Sequence, residues 1–142
     1  MDKNDVRWTD RGKQPVVENM EDWTLDNENF RTTVWTGEGF QLTVQNILPG
    51  DDIGLEVHDE SDQFLRLEQG TGVCKMGDAE DNLTFEEEIG PDDAILVPMG
   101  TWHDIINTGD EPMKLYTIYA KPDHVPGTIH ETHEDAKNDP NE

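Results

Sequence analysis

The stretch EVHDESDQF, residues 56 to 64, concentrates side chains that can bind a metal or move a proton. In an extended strand, side chains two positions apart share a face, so Glu56 and His58 point the same way. Gln63 opens the next predicted strand, and a hairpin between the two strands would bring it beside them. Residues 59 to 62 have the Asp-Glu-Ser-Asp composition of a solvated turn. The stretch therefore combines a candidate metal site with an acidic turn.

A second stretch, PMGTWHDIIN, supplies a partner from a distant part of the chain. Pro98 and Gly100 predict a tight turn before a strand on which His103 and Asn107 share one face. His103 joins the first group if the two strand pairs close around a common cavity. Imidazole nitrogen and carboxylate oxygen suit Zn, Mn, Fe, Ni or Co, and no thiolate lies nearby to narrow the choice.

About eight short predicted strands, between Phe30 and Tyr119, must position these residues. The strands are rich in β-branched and aromatic residues, and Gly, Pro, Asp and Asn separate them. No amphipathic helical pattern interrupts them. Regularly spaced short strands without helices indicate an all-β fold, an antiparallel sandwich or barrel whose mouth leaves room for a ligand.

The chain of 142 residues fits one domain, in which we distinguish three parts. Residues 1–28 form a mostly irregular N-terminal arm with isolated Trp8 and Trp23, and residues 29–122 form the barrel. Residues 123–142 form a C-terminal extension whose acidic end has the composition of a disordered tail. Because the arm could cross to a second copy, we expect a homodimer.

The charge balance excludes two classes of partner. Ten Lys and Arg residues face thirty-three Asp and Glu residues, which gives a formal charge of -23. A chain this negative is repelled by nucleic-acid phosphates and by anionic membrane surfaces. The single cysteine, Cys74, cannot form an intramolecular disulfide and is expected to be a buried structural thiol. With no secretory signal and no run of transmembrane length, we expect a cytoplasmic protein.

The two stretches contain spacings that together point to a family. The first spacing consists of Glu56, His58, Gln63 and Gly70. The second consists of Asp92, Pro98, Gly100, His103 and Asn107. These two spacings, taken in this order, resemble the two motifs of the single-domain cupins. Cupins are jelly-roll barrels, also called double-stranded β-helices. The order of the turns is also similar to that of small mannose-6-phosphate-isomerase-like cupins.

The chain departs from the cupin motifs at three positions. Glu56 stands where the family has the first histidine of His-x-His, and Gln63 stands where it has glutamate. Asp92 stands where the second motif begins with glycine. The two ligand substitutions exchange a carboxylate and a neutral donor between positions, so the formal charge of the ligand set is preserved.

The resemblance implies a divalent metal ion inside the barrel and a small-molecule substrate. The implied metal ligands are Glu56, His58, Gln63 and His103, and Glu56 is also the candidate catalytic base. Four side chains are candidates to line the substrate pocket: Arg66, Trp102, Tyr119 and His124. Each has an alternative role, because Arg66 could form a salt bridge, the two aromatic residues could pack in the core, and His124 could be solvated.

Three functions remain open from the sequence. The first is a metal-dependent enzyme acting on a small polyhydroxy or oxo compound, such as a sugar isomerase. The second is a non-haem iron dioxygenase, since two histidines with one carboxylate resemble the facial triad of such sites. The third is a non-catalytic barrel that binds a sugar or similar ligand, in which His58 and His103 are hydrogen-bonded lining residues.

Overall fold

Antiparallel strands dominate the computed structural model, which describes residues 1–141. Eight of the nine strands in this range correspond to runs that the sequence predicts as strands. The strands are β1 Arg31–Thr36, β2 Gln41–Ile47, β3 Asp62–Gln69, β4 Gly72–Gly77, β5 Phe85–Ile89, β6 Ala94–Val97, β7 Trp102–Asn107, β8 Met113–Ala120 and β9 Ile129–His130. The helical elements are a 3-10 turn at Val6–Trp8 and the helices α1 Met20–Leu25 and α2 His133–Lys137.

The strands form two sheets that face each other. The large sheet has the order β6-β3-β8-β2-β1-β9, and the small sheet has the order β5-β4-β7. Residues 51–56 extend the small sheet, since Ile53 N donates to Ile105 O at 3.0 Å and Glu56 N donates to His103 O at 3.0 Å. Two facing antiparallel sheets with non-sequential strand order form the predicted cupin jelly roll.

One half of the interior is apolar. Alternation along β3 buries Leu65 and Leu67, which pack with Leu115 of β8 against Cys74 and Ile105 of the small sheet. Burial raises the pKa of the Cys74 thiol to about 11. The thiol is therefore a core residue, as the sequence predicts.

The N-terminal arm contains more structure than the sequence indicates. The 3-10 turn and α1 lie within residues 1–28, and the arm packs on the outer face of the large sheet. Trp8 and Trp23 are buried there with Val34 and Val44, and Trp23 Nε1 donates to Arg7 O at 3.0 Å. Within this chain the two tryptophans therefore cover their own sheet. The expected homodimer stays a prediction.

The C-terminal extension contains a short strand and a helix, and the expected disorder of its acidic end stays a prediction. The strand β9 pairs with β1, and α2 begins with a capping box between Thr132 and Asp135. Ala136 is buried in the main core, and His130 Nε2 lies 2.8 Å from Asp139 Oδ2. A local cap and one buried alanine thus hold α2, at residues His133–Lys137, against the barrel. The division of the chain into arm, barrel and extension stays a prediction.

Three residues of the sequence motifs adopt the left-handed backbone conformation, among them Gly100 with φ +78°. Gly70 has φ +98° and Asp92 has φ +72°. The aspartate at the position of the opening glycine therefore keeps a conformation that glycine adopts without strain. Its side chain is held by an ion pair with Arg66 Nη2 at 2.7 Å.

We expect Gly70→Ala to destabilise the fold. The new Cβ would lie 2.9 Å from Met113 Cα, and the left-handed conformation alone adds about 1–3 kcal/mol of strain for a non-glycine residue. Urea unfolding should show a loss of free energy of unfolding of at least about this size. Gly39→Ala is the matched control, since its Cβ meets open space and its φ is not positive. Equal stability of the two variants would contradict the prediction.

Candidate metal centre

Glu56, His58 and His103 converge inside the barrel mouth. Glu56 and His103 pair through two backbone hydrogen bonds of 3.0 and 2.9 Å, which place both side chains on the inner face. Glu56 Oε1 lies 3.2 Å from His58 Nε2 and 3.4 Å from His103 Nε2. One ligand atom from each of the three residues lies within 4.8 Å of the others.

The second nitrogen of each histidine is occupied by an acceptor. His103 Nδ1 lies 3.1 Å from Thr101 O, and His58 Nδ1 lies 3.1 Å from Asp123 Oδ1. A carbonyl and a carboxylate accept hydrogen bonds, so Nδ1 carries the proton in both rings and Nε2 is available as a ligand. Both Nε2 atoms are buried and make no geometrically good hydrogen bond within residues 1–141.

The charges around Glu56, His58 and His103 favour the binding of a cation. Burial alone would raise the pKa of Glu56, but the adjacent imidazole rings of His103 and His58 outweigh it and hold that pKa far below its usual range. Burial would lower the pKa of His58, but Asp123 and Glu56 flank the ring and raise its pKa to about 10. Two carboxylates thus favour positive charge at His58. A metal ion bound at Nε2 would supply that charge in place of a proton.

Gln63 lies on the opposite sheet from Glu56 and His58. The hairpin that would place them side by side is therefore wrong, because Glu56 pairs with β7 while Gln63 belongs to β3. Gln63 nevertheless faces the interior, paired with Tyr119 of β8. Its amide oxygen and nitrogen are both buried, and neither has a hydrogen-bond partner in the described part of the chain.

Tyr119 and His124 lie beside the three convergent residues. The Tyr119 ring is fully buried, and its centroid lies 5.3 Å from that of His58 in an edge-on contact. His124 Nε2 lies 3.1 Å from the Tyr119 hydroxyl. Of the candidate lining residues, these two therefore reach the candidate metal centre.

Arg66 and Trp102 point elsewhere. Arg66 alternates with the buried Leu65 and Leu67 of β3, so it lies on the outer face, where it pairs with Glu68 and Asp92. Trp102 precedes His103 on β7 and therefore points to the opposite face, partly exposed. Neither side chain faces the candidate metal centre in this structure.

Sequence reasoning missed Asp123 and a polar inner wall. Asp123 comes from the C-terminal extension, and only its position next to His124 could have indicated it. The wall consists of Thr43, Gln45 and Thr117, which are fully or almost fully buried on β2 and β8. Each has a side-chain polar atom without a hydrogen-bond partner among residues 1–141. Alternation predicts which residues face inward but cannot show which polar atoms stay unpaired.

The donor chemistry fits a divalent transition metal. Two imidazole nitrogens held by Nδ1 acceptors, with one carboxylate between them, match the ligand types of Zn, Mn, Fe, Ni and Co sites. Glu56, His58 and His103 are the residues that would hold the ion, and Gln63 is an additional neutral donor on the facing sheet. A jelly-roll barrel with this donor set is a candidate metal-binding barrel.

The chain belongs to the cupin family. The family model described as "Cupin domain" matches residues 43–119, the part of the chain that contains all four predicted ligands.

Three relatives extend the comparison. The chain is 53% identical over 127 residues to the uncharacterized protein YrkC of Bacillus subtilis, covering 89% of this chain and 68% of YrkC. It is 37% identical over 117 residues to the uncharacterized protein L612 of Acanthamoeba polyphaga mimivirus, covering 82% of this chain and 71% of L612. The crystal structure of BH2720 from Bacillus halodurans superposes with a TM-score of 0.90 at 53% identity, covering 91% of this chain and 98% of that one.

These comparisons establish the fold and the family. The two curated relatives carry no assigned activity. The finer resemblance to mannose-6-phosphate-isomerase-like cupins stays a prediction. Within residues 1–141, no helix has the length and apolarity to cross a membrane.

Proposed function

We propose that this cupin is a metal-dependent enzyme that acts on a small polyhydroxy or oxo compound, most concretely by interconverting an aldose and a ketose. The observation that supports this proposal is the combination of the convergent ligands with unpaired polar atoms on the facing wall. One side of the interior could hold a cation, and the other could bind hydroxyl groups.

The unpaired atoms of the wall need partners. They are Thr43 Oγ1, Gln45 Nε2 and Thr117 Oγ1, and Gln63 on β3 adds both of its side-chain polar atoms. A buried polar group without a hydrogen bond costs about 1–3 kcal/mol, so atoms of this kind are normally paired with water or ligand. A compound with several hydroxyl groups supplies donors and acceptors to all of them. An apolar substrate would leave them unpaired.

The distribution of cations favours a substrate without a phosphate group. A phosphate usually meets Arg or Lys, and three such residues lie near the motifs. Arg66 is paired with Glu68 and Asp92, Lys75 lies 3.7 Å from Glu86 Oε1, and Lys114 donates to the carbonyl of Asn27. All three are engaged outside the candidate metal centre.

In this proposal, different residues of the candidate metal centre bind the cation and transfer a proton. When bound, a divalent metal ion polarises a substrate carbonyl as a Lewis acid. Glu56 and the two histidines hold the cation, and the lowered pKa of Glu56 makes that carboxylate a better ligand than base. We assign the holding and moving of a proton at a substrate oxygen to the Tyr119 hydroxyl and His124 Nε2, and their separation of 3.1 Å supports this assignment.

We expect Tyr119→Phe to retain the metal and to lower kcat about 10²–10⁴-fold, the usual contribution of a positioned proton-transfer group. The matched control is Tyr116→Phe on the same strand, since Tyr116 packs with the outer cluster under the N-terminal arm. Solvent deuterium incorporation into a panel of aldoses and ketoses, followed by NMR, measures the exchange. Equal turnover of the two variants would remove Tyr119 from the mechanism.

The second candidate function is an oxygenase with iron at the same ligands. It is favoured by the two histidines and one carboxylate, which match the facial triad of non-haem iron sites. Metal analysis of protein purified without a histidine tag separates the proposals. Zinc or manganese with sugar-dependent proton exchange supports the isomerase, and iron with oxygen uptake supports the oxygenase. Absence of stoichiometric metal would refute both and leave a non-catalytic binding barrel.

A further inference from the structure

A second group of potential ligands lies on the other face of β7. We call it the Asp–His cluster, and its members are Asp51, Asp52, Asp104 and His133. Asp104 directly follows His103, so strand alternation turns its carboxyl group outward while His103 faces the barrel interior. The Asp–His cluster is therefore separate from the candidate metal centre, with the backbone of β7 between them.

Three chain segments bring the cluster together. Residues 50–52 pair with the end of β7, since Asn107 N donates to Asp51 O at 2.9 Å and Gly50 N donates to Asn107 O at 3.0 Å. Asp52 forms an isolated β-bridge with Ile106 of β7. Ile106 and Asp104 are two positions apart on this strand and therefore share its outer face. His133 opens α2, and its ring stacks on Phe30 with centroids 4.4 Å apart and planes at 6°. The histidine is thus fixed in place by packing.

The distances within the cluster suit a common cation. His133 Nδ1 lies 2.8 Å from Asp51 Oδ1 and 3.9 Å from Asp52 Oδ1. One ligand atom from each of these three residues lies within 4.8 Å of the others. Ligand atoms at about 2.0–2.2 Å from one metal ion are themselves roughly 3–3.5 Å apart, so only small adjustments are needed.

Asp104 adds an independent observation. Only 8% of its surface is exposed, and its Oδ1 is buried without a hydrogen-bond partner in residues 1–141. Its carboxyl group is within hydrogen-bonding reach of Asp52. A buried carboxyl group that lies beside a second carboxylate and has one unpaired oxygen is an arrangement that a cation stabilises.

We propose that the Asp–His cluster is a second divalent-cation site, which fastens the C-terminal helix to the barrel. The imidazole argues against Ca²⁺ and Mg²⁺, which prefer oxygen ligands alone. Carboxylates with one imidazole and no thiolate suit Mn²⁺ or Zn²⁺. The bound cation joins α2 to the segment 51–56, which also contains Glu56 of the candidate metal centre.

The test counts metal ions in the full-length protein. Wild type and the double variant Asp52→Asn/His133→Gln are stripped with EDTA, dialysed against Mn²⁺ or Zn²⁺ and analysed by mass spectrometry for ions per chain. Glu87→Gln is the matched control for loss of one negative charge, because Glu87 is exposed on β5. A milder variant, Asp104→Asn, keeps the shape of the buried side chain if the double variant folds poorly.

We expect the double variant to bind one ion fewer per chain than wild type, and Glu87→Gln to bind the wild-type number. The melting temperature of wild type should rise on addition of Mn²⁺ by more than that of the double variant. The difference of one ion is expected whether or not the candidate metal centre is occupied, so the result is independent of the proposed function. Equal ion counts in wild type, the double variant and Asp104→Asn would overturn the proposal.

Discussion

Replacing His103 by alanine should abolish stoichiometric metal binding at the candidate metal centre. His103 is fully buried, and its Nε2 faces Glu56 Oε1 at 3.4 Å while Thr101 holds its Nδ1. Loss of a group that merely orients a ligand histidine lowers metal affinity about 10–100-fold. Loss of the ligand itself should lower affinity by at least about 100-fold on the same scale. Competition titration with a chromophoric chelator measures the change.

The control for His103→Ala is His130→Gln. His130 is equally buried, but Arg31 and Asp139 occupy its two ring nitrogens at 3.1 and 2.8 Å. It should therefore retain the metal affinity of wild type. Glu56→Gln offers a second test with almost no change of volume, because it removes the only carboxylate of the convergent set. Unchanged affinity in both His103→Ala and Glu56→Gln would refute the metal centre.

Strand alternation explains how much of the site the sequence could predict. The rule that residues two apart share a face correctly groups Glu56 with His58, although the segment before His58 forms only isolated bridges with β7. The same rule places Leu65 inside and Arg66 outside on β3. Such predictions succeed because they depend on local geometry alone.

Predictions that depend on which strands become neighbours fail at Gln63. Gln63 follows His58 closely in sequence, yet the chain crosses to the facing sheet between them. Short connections allow a hairpin and a crossover equally, and the choice is made by long-range packing. The resemblance to cupins supplies what spacing cannot, because it implies that His103 joins the other predicted ligands inside a jelly-roll barrel.

The two ends of the chain show what amino-acid composition cannot predict about a polar segment. In the C-terminal extension, Asp123 contacts His58 and His124 contacts Tyr119, so residues from an acidic segment complete the candidate metal centre. Polar composition indicates that a segment contributes little to a core. It cannot indicate whether the few remaining side chains dock on a surface that already exists. Single buried residues, such as Ala136 in α2, decide that outcome.

The N-terminal arm allows this idea to be tested, since it is fastened chiefly by two tryptophans. Trp23→Ala should lower the free energy of unfolding by about 3–5 kcal/mol, the usual loss for a buried large aromatic residue. Trp23 is 5% exposed, packs with Trp8 and Val44 on the large sheet, and donates from Nε1 to the Arg7 carbonyl. Val17→Ala is the control within the same arm, because Val17 is 97% exposed and should change stability by less than about 0.5 kcal/mol. Chemical unfolding followed by circular dichroism measures both. If Trp23→Ala were as stable as Val17→Ala, the arm would contribute nothing to the fold, and its tryptophans would be free to bind a second copy of the chain.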